Sequence, residues 1–306
     1  NTSSGVDIVL AGTDKIFCIY SLTDESVRAR AGSISGTVVT FGTEVNVATL
    51  TDVAGVACDL LATDTIACLA GDSGANLHAF GVSLSGTVAT SDYANKITKA
   101  DYTGIASSEK QAEIVFVGSN TTIIAYKRTA TVNGWKVTWA GTVPTNVSVS
   151  ALDGSNTGSF IYGVRKTSTA DQAIFIWKET GAGAGRANFV DSTLAYGTQF
   201  VLETSGPVLF GIGSYRGIDR VADNRFVYLQ RDNSTANGDY AELSTTAVMD
   251  SENTISVSYT GGMVATNVVG LNDLTAKHVR IYSGTGPGLS AACYEEYDNT
   301  DLFQGF

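Results

Sequence analysis

Four cysteines, two histidines and thirty Asp or Glu residues are the groups from which any chemistry in this 306-residue chain has to be drawn. Cys58 and Cys68 stand symmetrically about Thr63, which lies in a turn. A hairpin therefore puts them opposite each other, and facing residues of a non-hydrogen-bonded pair sit about 4.5 Å apart at Cα, within reach of a disulfide. Cys18 falls on an early strand and Cys293 on a late one. If the first and last repeats are neighbours in a ring, a Cys18–Cys293 bridge would clasp it, contributing on the order of 4–5 kcal/mol by the chain-entropy argument. The alternative is four buried thiols acting as small apolar side chains. His78 and His278 lie near strand ends with no evident partner and read as structural. No zinc set, no Cys/His catalytic pair, no other metal and no cofactor is expected.

Acids, indoles and sequons complete the candidates. Asp7, Asp59, Glu113, Asp153 and Asp219 fall on strands read as innermost, and Asp7, Glu113 and Asp219 take comparable places in their repeats. Glycosidase propellers use two such carboxylates at the mouth of a central channel. The plainer reading is a set of channel-lining groups in water, and the sialidase pattern S-x-D-x-G-x-T-W is absent. Asp153-Gly154-Ser155-Asn156 and Asp232-Asn233-Ser234 offer alternating oxygens but not the acid density of a calcium loop, and read as Asx turns. Trp135 and Trp139 are four apart on one strand and share a face, with Trp177 on what reads as the equivalent strand of the next repeat. Exposed, they would stack on sugar rings; buried, they are packing between repeats. Glycosylation sequons begin at Asn1, Asn120, Asn146 and Asn233, and those at Asn120 and Asn233 sit in turns where a glycan can project.

The elements that must position these residues repeat. LAGTDKIFCIY around Leu10 returns as LLATDTIACLA around Leu60, with Thr13-Asp14 and Thr63-Asp64 in one register. Cys18 and Cys68, then Ser35-Gly36-Thr37 and Ser85-Gly86-Thr87, continue it without a gap. A third copy starts at Glu113 with Ser119-Asn120 in the turn and ends in Ala140-Gly141-Thr142. Weaker copies start at Ser150, Arg220 and Gly270. Each repeat reads as four strands: two apolar runs buried on both faces, an alternating third strand such as Val27-Arg28-Ala29-Arg30-Ala31, and a short fourth. KADYTGIASSEKQ (99–111) reads as a loop.

Four-stranded repeats of about 50 residues predict an all-β fold, a single-domain β-propeller of six blades, or seven if the long stretch 155–222 holds another. The blades are placed at 1–50, 51–105, 106–147, 148–212, 213–262 and 263–306. A pair of β-sandwiches is the competing architecture, but a sandwich has no reason to keep a turn and a Ser-Gly-Thr at one spacing.

The stretches ARAGSISGTVVTFG (29–42), AFGVSLSGTVATSD (79–92) and VTWAGTV (137–143) resemble the repeats of mastigoneme-like and related surface proteins of microbial eukaryotes. The good matches cover roughly the first 145 residues. This resemblance implies an extracellular structural protein.

Charge narrows the partners. Lys and Arg number 19 against 30 Asp and Glu, a net charge of −11, which argues against nucleic-acid binding. No apolar run approaches the ~18 residues needed to span a bilayer. Numbering from Asn1 rather than Met suggests a processed product. The resulting expectation is a secreted, non-enzymatic structural or adhesive protein, a subunit of an extracellular filament or surface assembly. Self-association is expected through the terminal segments, because the last repeat runs short of a fourth strand that DLFQGF or a neighbouring subunit would supply. A lectin-like propeller that binds glycans is the alternative. A glycoside hydrolase is the third reading and needs two carboxylates about 5–10 Å apart.

Overall fold

The computed structural model describes residues 5–305 apart from 23–24, 52, 54, 104–110, 130, 154–157, 167–171, 180–183, 198, 204–217, 223–224, 232–237, 245–248, 251–262, 272–276, 285–288 and 298–299. Side chains are described chiefly up to Arg220. Among these residues there is no α-helix, only one 3-10 turn at Tyr93–Asn95. Six antiparallel sheets follow one another along the chain. The fold is the all-β propeller that the repeat predicts.

Blade 1 holds β1 (Gly5–Leu10), β2 (Lys15–Ser21), β3 (Ser26–Ser35), β4 (Val38–Phe41) and β5 (Val45–Thr49). Blade 2 holds β6 (Gly55–Ala62), β7 (Thr65–Gly71), β8 (Leu77–Ser85), β9 (Val88–Ser91) and β10 (Ile97–Lys99). Blade 3 has β11 (Ala112–Gly118), β12 (Thr121–Arg128), β13 (Thr131–Ala140) and β14 (Val143–Asp153). Blade 4 has β15 (Gly158–Arg165), β16 (Gln172–Glu179), β17 (Gly185–Asp191) and β18 (Phe200–Glu203). Blade 5 has β19 (Ile218–Ala222), β20 (Arg225–Arg231), β21 (Gly238–Ser244) and β22 (Met249–Asp250). Blade 6 has β23 (Met263–Leu271), β24 (Lys277–Gly284), β25 (Leu289–Tyr297) and β26 (Thr300–Gly305). The first strands β1, β6, β11, β15, β19 and β23 contact one another in chain order and are the innermost.

The fifth strand of blades 1 and 2 has a simple origin. β4 pairs residues 32–35 of β3 and β5 pairs residues 26–29, so together they do the work of one fourth strand broken in the middle. β9 and β10 divide β8 in the same way, whereas β14 runs unbroken along β13.

The core is divided among the seams between consecutive blades. Between blades 1 and 2, Phe17, Ile19, Ala29 and Ala31 meet Cys58, Ile66, Cys68, Phe80 and Val82. Blades 2 and 3 bury Leu69, Ala79, Ile124, Trp135 and Trp139; blades 3 and 4 bury Val115, Ile123, Phe175 and Trp177. A fourth cluster joins blade 4 to Ile218 and Phe226 of blade 5. One sheet cannot bury its own faces, so each seam supplies apolar burial to two blades at once.

Several expectations are corrected here. β1 is not buried on both faces: its pattern alternates, and Ile8 and Leu10 are exposed. The SALDGSNTGS stretch is not an inner hairpin but the link from β14, the outermost strand of blade 3, to β15. Asp153 therefore ends an outer strand rather than an inner one. Among the described residues, the stretch from 155 to 222 holds one sheet, β15–β18, and then β19. Of the two sources expected for the fourth strand of blade 6, the chain's own end supplies it: β26, which holds most of DLFQGF, pairs with β25.

Cys58 and Cys68 do face each other across β6 and β7. The Cys58 N–H turns away from β7 to Asp7, which makes this a non-hydrogen-bonded pair, as expected. Even so, Cys18, Cys58 and Cys68 are not in a disulfide, so neither expected bridge is formed. Cys58 and Cys68 are packed in the blade 1–2 seam as small apolar groups, and burial pushes the Cys68 thiol well up. The Cys293 side chain lies outside the described residues.

Candidate functional site

The inner edge of each blade poses a hydrogen-bonding problem. β1, β6 and β11 each pair with one strand only, leaving alternate N–H groups pointing toward the axis. The acids singled out in the sequence answer it. Asp7 Oδ1 accepts the N–H of Ile8 on its own strand at 2.9 Å, and Oδ2 accepts that of Cys58 on the next blade at 2.9 Å. Asp59 repeats the arrangement with Leu60 at 2.8 Å and Phe116 of blade 3 at 2.7 Å. Glu113 accepts from Ile114 at 3.1 Å and Asp219 from Arg220 at 2.8 Å. Asp7 and Asp59 therefore stitch neighbouring innermost strands together, and Asp7 and Glu113 are buried.

A second fastener explains why Ser-Gly-Thr recurs. Gly36, Gly86 and Gly141 turn the third strand into the fourth with φ of +59°, +60° and +64°, a conformation that disfavours any side chain. The following threonine then reaches the preceding blade. A Cβ on Gly42 would stand 2.2 Å from the Thr87 carbonyl oxygen, and one on Gly81 2.2 Å from that of Thr142. Thr142 Oγ1 also donates to Asp92 at 2.8 Å. At the inner-hairpin end Lys15 reaches Asp64 of the next blade at 2.6 Å.

The opposite rim, where second strands turn into third strands, carries the polar groups that are not consumed in fastening. Between blades 2 and 3, Asp101 gathers Lys99 Nζ at 3.1 Å, Arg128 Nε at 3.1 Å and the Tyr126 hydroxyl at 3.1 Å. The Arg128 side chain is 52% exposed, so the guanidinium stands at the surface beside an anchored carboxylate. Burial pushes the Tyr126 hydroxyl well above its usual pKa, keeping it a donor. Blade 1 repeats the theme with Tyr20, which matches Tyr126 in register and donates to Glu44; burial and that bond push it up to about 12. On blade 4, Glu179 takes Arg186 in a two-pronged grip at 2.8 and 2.7 Å.

Blade 2 adds an arrangement absent from the sequence reading. His78 Nε2 meets Asp72 Oδ2 at 2.9 Å and Nδ1 meets Thr98 Oγ1 at 2.9 Å, so His78 has two partners. Burial alone would raise the Asp72 carboxyl, but bonds from His78 and Asn76 hold it below the usual value. Thr98 and His78 are directly opposed on β10 and β8, so the imidazole is a strut between strands. The signal is hidden because β10 is only three residues long, too short to show a strand pattern.

The three tryptophans are not a sugar-stacking platform. Trp135, Trp139 and Trp177 are 1%, 3% and 0% exposed. They do not even share an equivalent strand: the first two lie on β13, third in its blade, and Trp177 on β16, second in its blade. Trp139 donates inward to Thr122 at 3.0 Å, and Trp177 Nε1 is sealed without an acceptor. Of the sequons, Asn120 is exposed at a turn with φ of +55°, as expected. Asn146 lies on β14, its side chain outside the described residues, as are Asn1 and Asn233. Among the described residues no group of three His, Cys, Asp or Glu could hold a metal, and no helix is long and apolar enough to cross a membrane.

No protein-family model matches the chain, and no curated protein matches it either. Solved structures do. The SapL1 lectin in complex with alpha methyl fucoside superposes with a TM-score of 0.58 at 9% identity, over 98% of this chain and 95% of that one. The BP39L lectin from Burkholderia pseudomallei gives 0.65 at 12% over 99% and 86%. A mutant of the Aleuria aurantia lectin in complex with Fucalpha1-6GlcNAc gives 0.59 at 11% over 98% and 93%. Another structure of that fungal lectin is described as a six-bladed β-propeller. At such identities the likeness carries the fold. It also corrects the expectation of a filament subunit, since the three solved propellers just named are lectins.

Proposed function

We propose that this chain is a carbohydrate-binding propeller without a catalytic step, working outside the cell, with its ligand site on the rim between blades 2 and 3. The observation that carries the reading is the Asp101 cluster. A fixed carboxylate there lies beside a half-exposed guanidinium, an ammonium and a tyrosine hydroxyl, a set able to accept from and donate to vicinal sugar hydroxyls. The fold it shares with fucoside-bound lectins supports the same ligand class, and the net charge of −11 favours neutral sugars over nucleic acid. The axial acids support no hydrolase, because Asp7 and Asp59 are engaged with backbone N–H groups of adjacent strands.

Methyl α-L-fucoside is the first probe, by titration calorimetry, followed by a glycan array. Saturable binding is expected, and Arg128→Ala or Asp101→Asn is expected to weaken it by roughly tenfold or more, the loss of one charge-assisted hydrogen bond. A folded protein that retains no sugar on the array would overturn the proposal.

A further inference from the structure

We propose that Asn120 carries an N-linked glycan, and that the glycan is attached only before blade 3 closes. The proposed extracellular setting is a premise here; the sugar-binding rim is not. The repeat shows how the site departs from its neighbours. The N–H groups of Ile34, Leu84 and Trp139 donate to the carbonyls of Asp14, Asp64 and Asn120 at 2.7, 2.8 and 2.8 Å, which aligns the inner turns of blades 1, 2 and 3. Where blades 1 and 2 have Asp14 and Asp64, blade 3 has Asn120; where they have Ile16 and Ile66, it has Thr122. The two departures together write the acceptor pattern Asn-Thr-Thr into one blade of the three. The turn itself does not demand Asn, because Asp64 holds φ of +63° where Asn120 holds +55°, and both residue types accept that conformation. The buried place does not demand a hydroxyl, because Ile66 fills it at 0% exposure.

The amide that takes the sugar is open. Asn120 is exposed, and among the described residues nothing engages its side chain. Asp64, by contrast, is held by Lys15 of the preceding blade at 2.6 Å. Thr65 stands in the place of Lys15 on blade 2, so the next seam makes no such claim on Asn120. A glycan here leaves from the inner-hairpin rim. Arg128 lies at the far end of β12, about 23 Å from its first residue at 3.3 Å per step, so the opposite rim stays clear.

The hydroxyl that the pattern also requires is closed off. Thr122 is 0% exposed, and its Oγ1 accepts the Trp139 indole N–H at 3.0 Å, with Trp139 itself 3% exposed. Once β13 has paired with β12, a transferase meets an open amide beside a sealed hydroxyl. Transfer therefore belongs to the chain before that pairing. Asn120 Nδ2 attacks C1 of the first sugar on a polyprenyl-diphosphate-linked oligosaccharide. The N–C1 bond forms, the C1–O bond breaks, polyprenyl diphosphate leaves, and the amide gives one proton to a base of the transferase. The finished glycan asks for no room in the seam, since Asn120 is on the exposed side of the turn.

The test compares two preparations of the full chain. One is translated into eukaryotic microsomes; the other is folded without sugar from bacteria, then given transferase and the lipid-linked donor. Glycopeptide mass spectrometry reads the occupancy of Asn120. The microsomal chain is expected to be occupied, and the folded chain at least roughly tenfold less, because only local opening of blade 3 frees Thr122. Unfolding the second preparation in the same reaction is expected to restore transfer. Asn120→Asp copies the turn of Asp64 and Thr122→Ile copies Ile66, so both variants keep residues that the fold already uses, and both are expected to lose the added mass. A bare Asn120 in the microsomal chain would overturn the proposal. So would a folded chain that accepts sugar as fast as the nascent one. Methyl α-L-fucoside binding is read separately on the bacterial preparation, so a failed sugar-binding site and a failed acceptor site give different results.

Discussion

Blades 1 and 2 present the same face built from matching positions, yet one is a core and the other a surface. Ile66 is fully buried, and Ile16, fifty residues before it, is half-buried. Cys68 is sealed in the seam, while Cys18 remains partly open. The strands, turns and apolar alternation are alike; only the neighbouring sheet differs. Burial in a propeller is a property of seams, and a blade acquires its core from what stands beside it.

The largest effects should come from pairing substitutions across that comparison. Ile66→Ala is expected to cost about 2–5 kcal/mol in denaturant unfolding, the range for truncating a buried isoleucine. Ile16→Ala is expected to cost as much if the last blade covers it, and under about 1 kcal/mol if that face is bare. The two values measured side by side separate a closed ring from an open one.

The axial stitch between the same two blades comes next. Asp7→Ala removes a charged acceptor shared by Ile8 and Cys58, and the expected loss is about 1.5–3 kcal/mol. A loss no larger than that of a surface change would mean that the seam holds by apolar packing alone.

The smallest effect is electrostatic and belongs to blade 2 only. Hydrogen bonds hold the Asp72 carboxyl below its ordinary value, so the native state favours the ionised form. The stability it contributes is present above the unfolded carboxyl pKa, about 3.9, and is lost as pH falls through the lower folded value. Thermal unfolding followed from pH 6 downward should show this acid loss in the wild type and a shallower one in Asp72→Asn. Identical profiles would remove Asp72 from the strut.

Much of the architecture was readable because a repeat advertises itself. The register joining Thr13-Asp14, Cys18 and Ser35-Gly36-Thr37 to their later counterparts announced blades, and glycines that must adopt positive φ marked the turns. The axial placement of Asp7, Asp59 and Glu113 was legible too. Their work was not, since accepting an N–H from the next blade requires knowing which strand edge lies opposite. The tryptophans misled because spacing fixes a shared face and says nothing of which side is wet. Trp135 and Trp139 do share a side, and it is the side against blade 2. The Asp101 and His78 clusters escaped because their members come from three separate strands, β8, β10 and β12, and from the connections beside them, with no periodicity to signal them.

By itself, then, the sequence determined the unit: strand order, turn positions, and the alternation that gives each sheet two faces. Those are local properties, set by backbone sterics and by side-chain period along a strand. Which face became core, which carboxylate became a stitch, and which arginine was left outward on a rim were decided only when blades came together. Desolvation and hydrogen-bond partnership belong to pairs of surfaces, and no single strand carries that information.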